Sequence, residues 1–155
     1  MKKHLFIFIL VSFVVASSES KAQTKFFNPF GTAVGGRFYP GALSIKQYVF
    51  NQNAFELNGY YWNGGRVTLL YEVNRKIVGL KGLSWYVGPG VHISFYDGKD
   101  LQGTLMGLDA VVGLDLKMKA IPFDFSLDWQ PSYDFGGGAN FSGLWGGLGI
   151  RYFIK

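Results

Sequence analysis

From Met106 to Met118 the chain alternates without a break. Met106, Leu108, Ala110, Val112, Leu114, Leu116 and Met118 take one set of positions, and Gly107, Asp109, Val111, Gly113, Asp115, Lys117 and Lys119 take the other. A period of two marks a β-strand with unlike environments on its two faces. An ordinary strand has about 5–6 residues, whereas one that crosses a bilayer needs roughly 9–11 and often runs on. The same period predicts seven more strands, over Thr32–Tyr39, Ala42–Val49, Ala54–Trp62, Arg66–Asn74, Ser84–Tyr96, Ile121–Pro131 and Gly143–Ile154, the Met106 run itself spanning Leu105–Lys119. Pro40-Gly41 and Asn63-Gly64-Gly65 are turn signals between neighbours. No window has helical spacing. The fold class expected is all-β, a single up-and-down antiparallel transmembrane β-barrel of eight strands.

Sorting the positions gives two faces. One carries Phe38, Leu43, Leu57, Leu69, Val91, Phe125, Leu148 and similar side chains. The other carries Arg37, Lys46, Glu56, Arg66, Glu72, His92, Asp109, Asp115, Lys117, Lys119, Asp124, Asp128 and Arg151, with Gly35, Gly88, Gly90, Gly107, Gly113, Gly147 and Gly149 among them. Eight strands enclose an interior that side chains just fill, so the large apolar groups would overfill it. The charged, glycine-rich face fits inside, and its balance of signs lets buried ions pair. The prediction is a structural luminal network and a barrel without an aqueous pore. A soluble exported barrel holding a small apolar ligand is the alternative with the opposite facing.

The N-terminus changes the picture of location. Lys2 and Lys3, the apolar stretch Leu5–Ala16 and the small residues of Ser20-Lys21-Ala22 have the form of a secretory signal peptide over 1–22. The barrel domain is then 23–155, exported, with the outer membrane as its expected location. The full chain carries +5, and removing 1–22 leaves twelve basic and nine acidic residues, or +3. The basic residues are scattered, which gives nucleic acid binding no support. Cysteine is absent, so disulfides and thiolate metal sites are excluded. With both chain ends on the periplasmic side, the connections 97–104 and 132–141 face outward. Asn74–Leu83 is then long for a periplasmic turn.

Gly149-Ile150-Arg151-Tyr152-Phe153-Ile154 resembles the C-terminal signal by which outer-membrane barrels are recognised for assembly, with Tyr152 matching and Ile154 and Lys155 departing from it. Ser84-Trp85-Tyr86-Val87-Gly88-Pro89-Gly90 and the segment from Ile121-Pro122 to Gln130-Pro131 are similar to those of exported barrel proteins. The chain resembles the small eight-stranded outer-membrane β-barrel proteins of Gram-negative bacteria. That resemblance implies outer-membrane lipid as its surroundings and the barrel assembly machinery as a partner through the last strand. It implies no activity.

His92-Ile93-Ser94 is the one enzymatic candidate, because period two puts a histidine beside a hydroxyl it could activate. It resembles the His-x-Ser of outer-membrane lipid A deacylases, whose dyad faces lipid, whereas here the pair falls on the luminal face. A lipid A-modifying enzyme using His92 and Ser94 is therefore the second alternative. Asp109, Asp115, Asp124 and Asp128 share the interior with cations, which favours ion pairing over a metal site. Trp85 and Trp129 are read as interfacial aromatics near strand ends, and Pro89 as a bulge or kink. Gly136-Gly137-Gly138 lacks the lysine and helix of a phosphate loop. The loop Gln130–Phe141, with Tyr133, Asp134 and Phe135, is a candidate external binding segment whose ligand the residues do not name. No catalytic residue, cofactor or metal ligand is assigned, and the protein is expected not to be an enzyme.

Overall fold

The computed structural model describes residues 31–49, 53–61, 64–97, 102–118, 121–135 and 140–154. The segment read as a signal peptide, Lys119 and the Gly136–Gly138 run lie outside them. The strands are β1 (Thr32–Phe38), β2 (Ala42–Tyr48), β3 (Ala54–Tyr60), β4 (Gly64–Lys76), β5 (Leu83–Asp97), β6 (Gln102–Lys117), β7 (Phe123–Trp129), β8 (Ser132–Phe135), β9 (Phe141–Ser142) and β10 (Gly146–Ile154). All pair antiparallel in the order β5-β4-β3-β2-β1-β10-β7-β6, and β5 pairs with β6 to close the ring. β8 prolongs β7, and β9 leads into β10. The wall is thus a closed eight-stranded antiparallel barrel, all-β as the alternation predicts. Thr32 faces Ile154 at one end, here called the base. The opposite end, with the connections after β1, β3, β5 and β8, is the crown.

The predicted facing holds. Lys46, Glu56, Glu72, Asp115, Asp124 and Arg151 are fully buried, while Leu43, Leu57, Leu69, Val91, Leu127 and Leu148 lie on the exterior, most of them largely exposed. Charge fills the interior and hydrocarbon covers the outside. Two apolar clusters also lie in the lumen: Ala33, Tyr48, Ala54 and Phe153 at the base, and Leu70, Tyr86 and Val111. Glycine makes the room this filling needs. A β-carbon on Gly113 would sit 2.6 Å from the Tyr86 ring, and one on Gly149 would sit 3.1 Å from the Arg151 guanidinium.

Four local expectations are corrected. The register is the same on both sides of Pro89, Leu70 facing Gly90 and Val73 facing Val87. The ladder loses the pairs between these because proline has no donor, and no bulge forms. The seventh strand does not end at Pro131. β7 and β8 face β6 in one register, Trp129 opposite Val112 and Ser132 opposite Asp109. The interruption at Gln130-Pro131 is bridged by Ala110 N–H donating to the Pro131 carbonyl at 2.9 Å. Residues 130–135 of the supposed loop are therefore wall, and Trp129 stands in mid-strand, its indole N–H donating to the Gly143 carbonyl at 2.8 Å. The bulge that does occur is between β9 and β10. Residues 143–145 lie opposite only Gln130 and Pro131, and Gly146 and Gly147 follow with φ of 138° and 136°, a region open to glycine.

Candidate functional site in the barrel lumen

The luminal side chains fall into two groups. The larger runs from the base to mid-barrel. Arg151 on β10 pairs with Glu56 on β3 and lies 3.6 Å from Asp124 on β7. It also donates to Ser44 at 2.7 Å and Ser126 at 2.9 Å. Arg37 pairs with Asp128 and stands 3.4 Å from Glu56. Lys46 pairs with Glu72 at 2.7 Å and lies 3.6 Å from Asp115, to which Lys117 is also paired. Phenols complete the set. Tyr86 donates to Asp128 at 2.7 Å, and the Tyr48 hydroxyl lies within hydrogen-bonding distance of both Asp115 and Asp124. The Lys46 ammonium sits 4.6 Å from the Tyr86 ring centre, adding a cation–π contact.

The smaller group lies toward the crown. Arg66 on β4 pairs with Asp109 on β6 at 2.5 Å. His92 on β5 turns Nδ1 to Asp109 at 2.7 Å and Nε2 to Asp134 on β8 at 2.6 Å. Gln130 donates to Asp109 at 2.9 Å and accepts from Tyr60 at 3.1 Å. Trp145, turned inward after the bulge, covers the Arg66 guanidinium at 4.1 Å and meets Tyr60 edge-on. The crown end of the lumen is thereby filled.

Twelve of the thirteen charged luminal residues named from the sequence are brought into these two groups: Arg37, Lys46, Glu56, Arg66, Glu72, His92, Asp109, Asp115, Lys117, Asp124, Asp128 and Arg151, the thirteenth, Lys119, lying outside the described residues. Sequence reasoning missed Tyr48, Tyr60 and Trp145, and it assigned Gln130 and Asp134 to an external segment, whereas both side chains join the luminal group. The first two were legible, since each lies two or four residues along its strand from a charged luminal position.

The chemistry this arrangement supports is mutual neutralisation. Each luminal arginine has a carboxylate partner, which is what burial of a charge demands. Neither nitrogen of His92 is left to take a proton from Ser94, and the Ser94 hydroxyl has no hydrogen-bond partner among the described residues. Among the described residues no cluster of histidine and carboxylate ligands has the geometry of a metal site. Removal of an unpartnered buried hydroxyl is nearly free. Ser94→Ala is therefore expected to leave unfolding stability within about 0.5 kcal/mol of the parent in a urea titration. Outside the lumen, a groove of about 640 Å³ on β4, β5, β6 and β8 is lined chiefly by Val67, Leu69, Val91, Ile93, Met106 and Leu108, with few converging polar groups.

Compared with protein-family models, with curated proteins and with solved structures, the chain matches none.

Proposed function

We propose that the protein is an integral outer-membrane barrel with a closed polar lumen, exported by its N-terminal segment, whose role is structural or surface-binding and not that of a pore. One observation carries this reading. Along β5 the exterior positions read Trp85, Val87, Pro89, Val91, Ile93 and Phe95, aromatic at both ends and aliphatic between. Along β7 and β8 the exterior run again has aromatics at both ends, Phe123 and Phe125 at the base and Tyr133 and Phe135 at the crown. Ten residues separate Trp85 from Phe95. At about 3.3 Å per residue and a tilt near 40°, that is roughly 25 Å along the barrel axis, the height of an apolar band between two aromatic girdles. A water-soluble barrel of this size has no reason to expose such a band. The filled lumen supports the absence of an open pore.

The chain has no cysteine, so single labels are clean. After folding into lipid vesicles, a label at Leu114→Cys is expected to be shielded from an aqueous quencher, and one at Asp115→Cys to be out of reach of a lipid-borne quencher. The gel mobility should shift on heating, and planar bilayers should show no conductance steps. A water-accessible Leu114 label, or recovery of the protein in the soluble periplasm, overturns the reading.

A further inference from the structure

The connection from β4 to β5 at the base is an ordered hairpin. Ile77 N–H donates to the Leu83 carbonyl at 3.1 Å, and Lys117 N–H donates to the Gly82 carbonyl at 2.9 Å, tying the hairpin to β6. Its side chains differ from the rest of the molecule. Among the described side chains, every charge outside the luminal groups is basic, and all of these, Arg75, Lys76 and Lys81, belong to this hairpin. None of the three is ion-paired among the described residues. Between them stand Val78, 99% exposed, and Leu80, 57% exposed.

The hairpin is continuous with the exterior aromatic rim. Arg75 lies directly opposite Trp85 on the ladder, and both side chains are on the exterior face. An arginine beside a rim tryptophan stands at the level where a bilayer gives way to its headgroups. Val78 and Leu80 lie three and five residues further on, at the turn of the hairpin and within the headgroup layer. An apolar tip flanked by cations is the composition of a segment that rests in an anionic interface.

Building on the membrane reading, we propose that the hairpin from Arg75 to Gly82 docks on anionic phospholipid headgroups of the leaflet at the base. Arg75, Lys76 and Lys81 meet the lipid phosphates, and Val78 and Leu80 enter the headgroup–acyl boundary. This explains why a connection at this end is long and apolar where a tight turn would suffice. The docking biases how the barrel sits in the bilayer and which lipids surround its base.

The test is an environment-sensitive dye on Val78→Cys, with the barrel folded into vesicles of phosphatidylcholine alone or with phosphatidylglycerol. The dye is expected to shift to the blue and to lose accessibility to iodide when phosphatidylglycerol is present. Each basic residue near an anionic surface favours docking about fivefold, so Arg75→Gln with Lys76→Gln and Lys81→Gln should abolish the difference. The label at Leu114→Cys separates the two hypotheses. If it is shielded while the Val78 label stays iodide-accessible in both vesicles, docking is overturned and the membrane barrel stands. A shielded Val78 label indifferent to lipid charge and to the triple replacement also overturns the proposal. If the Leu114 label is itself in water, the membrane reading falls and docking with it. Heat-shifted gel mobility confirms that each variant is folded.

Discussion

Arg151→Ala is expected to lower the stability of the folded barrel by about 3–5 kcal/mol, the cost of leaving buried charges without their partner. The side chain is fully buried and binds Glu56, Ser44 and Ser126, with Asp124 at 3.6 Å. Removing it leaves Asp124 without a paired cation and Glu56 with only Arg37, at 3.4 Å, in a closed interior, and the alanine also leaves a cavity. Urea titration of the vesicle-folded protein, followed by the heat-shifted gel band, measures the loss. A second variant separates charge from volume. Arg151→Met with Glu56→Gln keeps most of the bulk and removes the Glu56 anion, although Asp124 keeps its charge. It should recover a large part of the loss, because a buried ion pair replaced on both sides is often nearly neutral. A loss below about 1 kcal/mol for Arg151→Ala, the scale of an exposed pair, would show that the lumen is open to water and that the ions solvate one another little.

The strand pattern and the facing were legible because both follow from local periodicity and from a volume limit. The Met106–Met118 alternation needs no tertiary information, and neither does the conclusion that the large apolar groups would overfill the interior of eight strands. Partnerships were not legible. Arg37 reaches Asp128 across 91 residues of sequence, and Arg151 reaches Ser44 across 107; only the registers of several strand pairs, set jointly, bring them together.

The crown was misread for a different reason. Proline at 131 resembles a strand end, yet parity continues through it: Asp124, Ser126, Asp128, Gln130, Ser132 and Asp134 all point inward. Carrying the strand past Pro131 would have placed Asp134 beside His92. The bulge after Ser142 then reverses parity, so that even positions face inward before it and odd positions after it. Trp145 keeps the inward parity of Gly147, Gly149 and Arg151 and so covers Arg66, a position that counting back by twos from Arg151 reaches. The Asn74–Leu83 connection has the opposite history. Its length departs from a short periplasmic turn at the level of sequence, and in the structure it is an ordered continuation of the β4–β5 ladder that gathers the exterior cations.

Gly35→Ala and Gly36→Ala are expected to have opposite consequences, although the residues are neighbours. Both lie in β1, where the first and last wall strands meet. Gly35 points into the lumen opposite Arg151, and Gly36 points outward opposite Ile150. A β-carbon on Gly35 would overlap the Ile150 carbonyl oxygen and lie 2.6 Å from the Arg151 Cα. Those atoms belong to the backbone of β10 and cannot swing aside as a side chain would. A β-carbon on Gly36 meets nothing nearer than the Ala42 carbonyl at 3.6 Å, an ordinary contact. Relief for Gly35→Ala therefore requires β1 and β10 to part along the seam that closes the barrel. Overpacking of this kind costs about 1–3 kcal/mol and more when the backbone itself must shift. The heat-shifted fraction should fall and the urea midpoint should drop for Gly35→Ala. For Gly36→Ala both should match or slightly exceed the parent, since alanine restricts the unfolded chain by about 0.5 kcal/mol relative to glycine. Equal behaviour of the two variants would mean that the β1–β10 seam is looser than its pairing implies, and that the close approach of backbone at Gly35 is not what holds the first strand to the last.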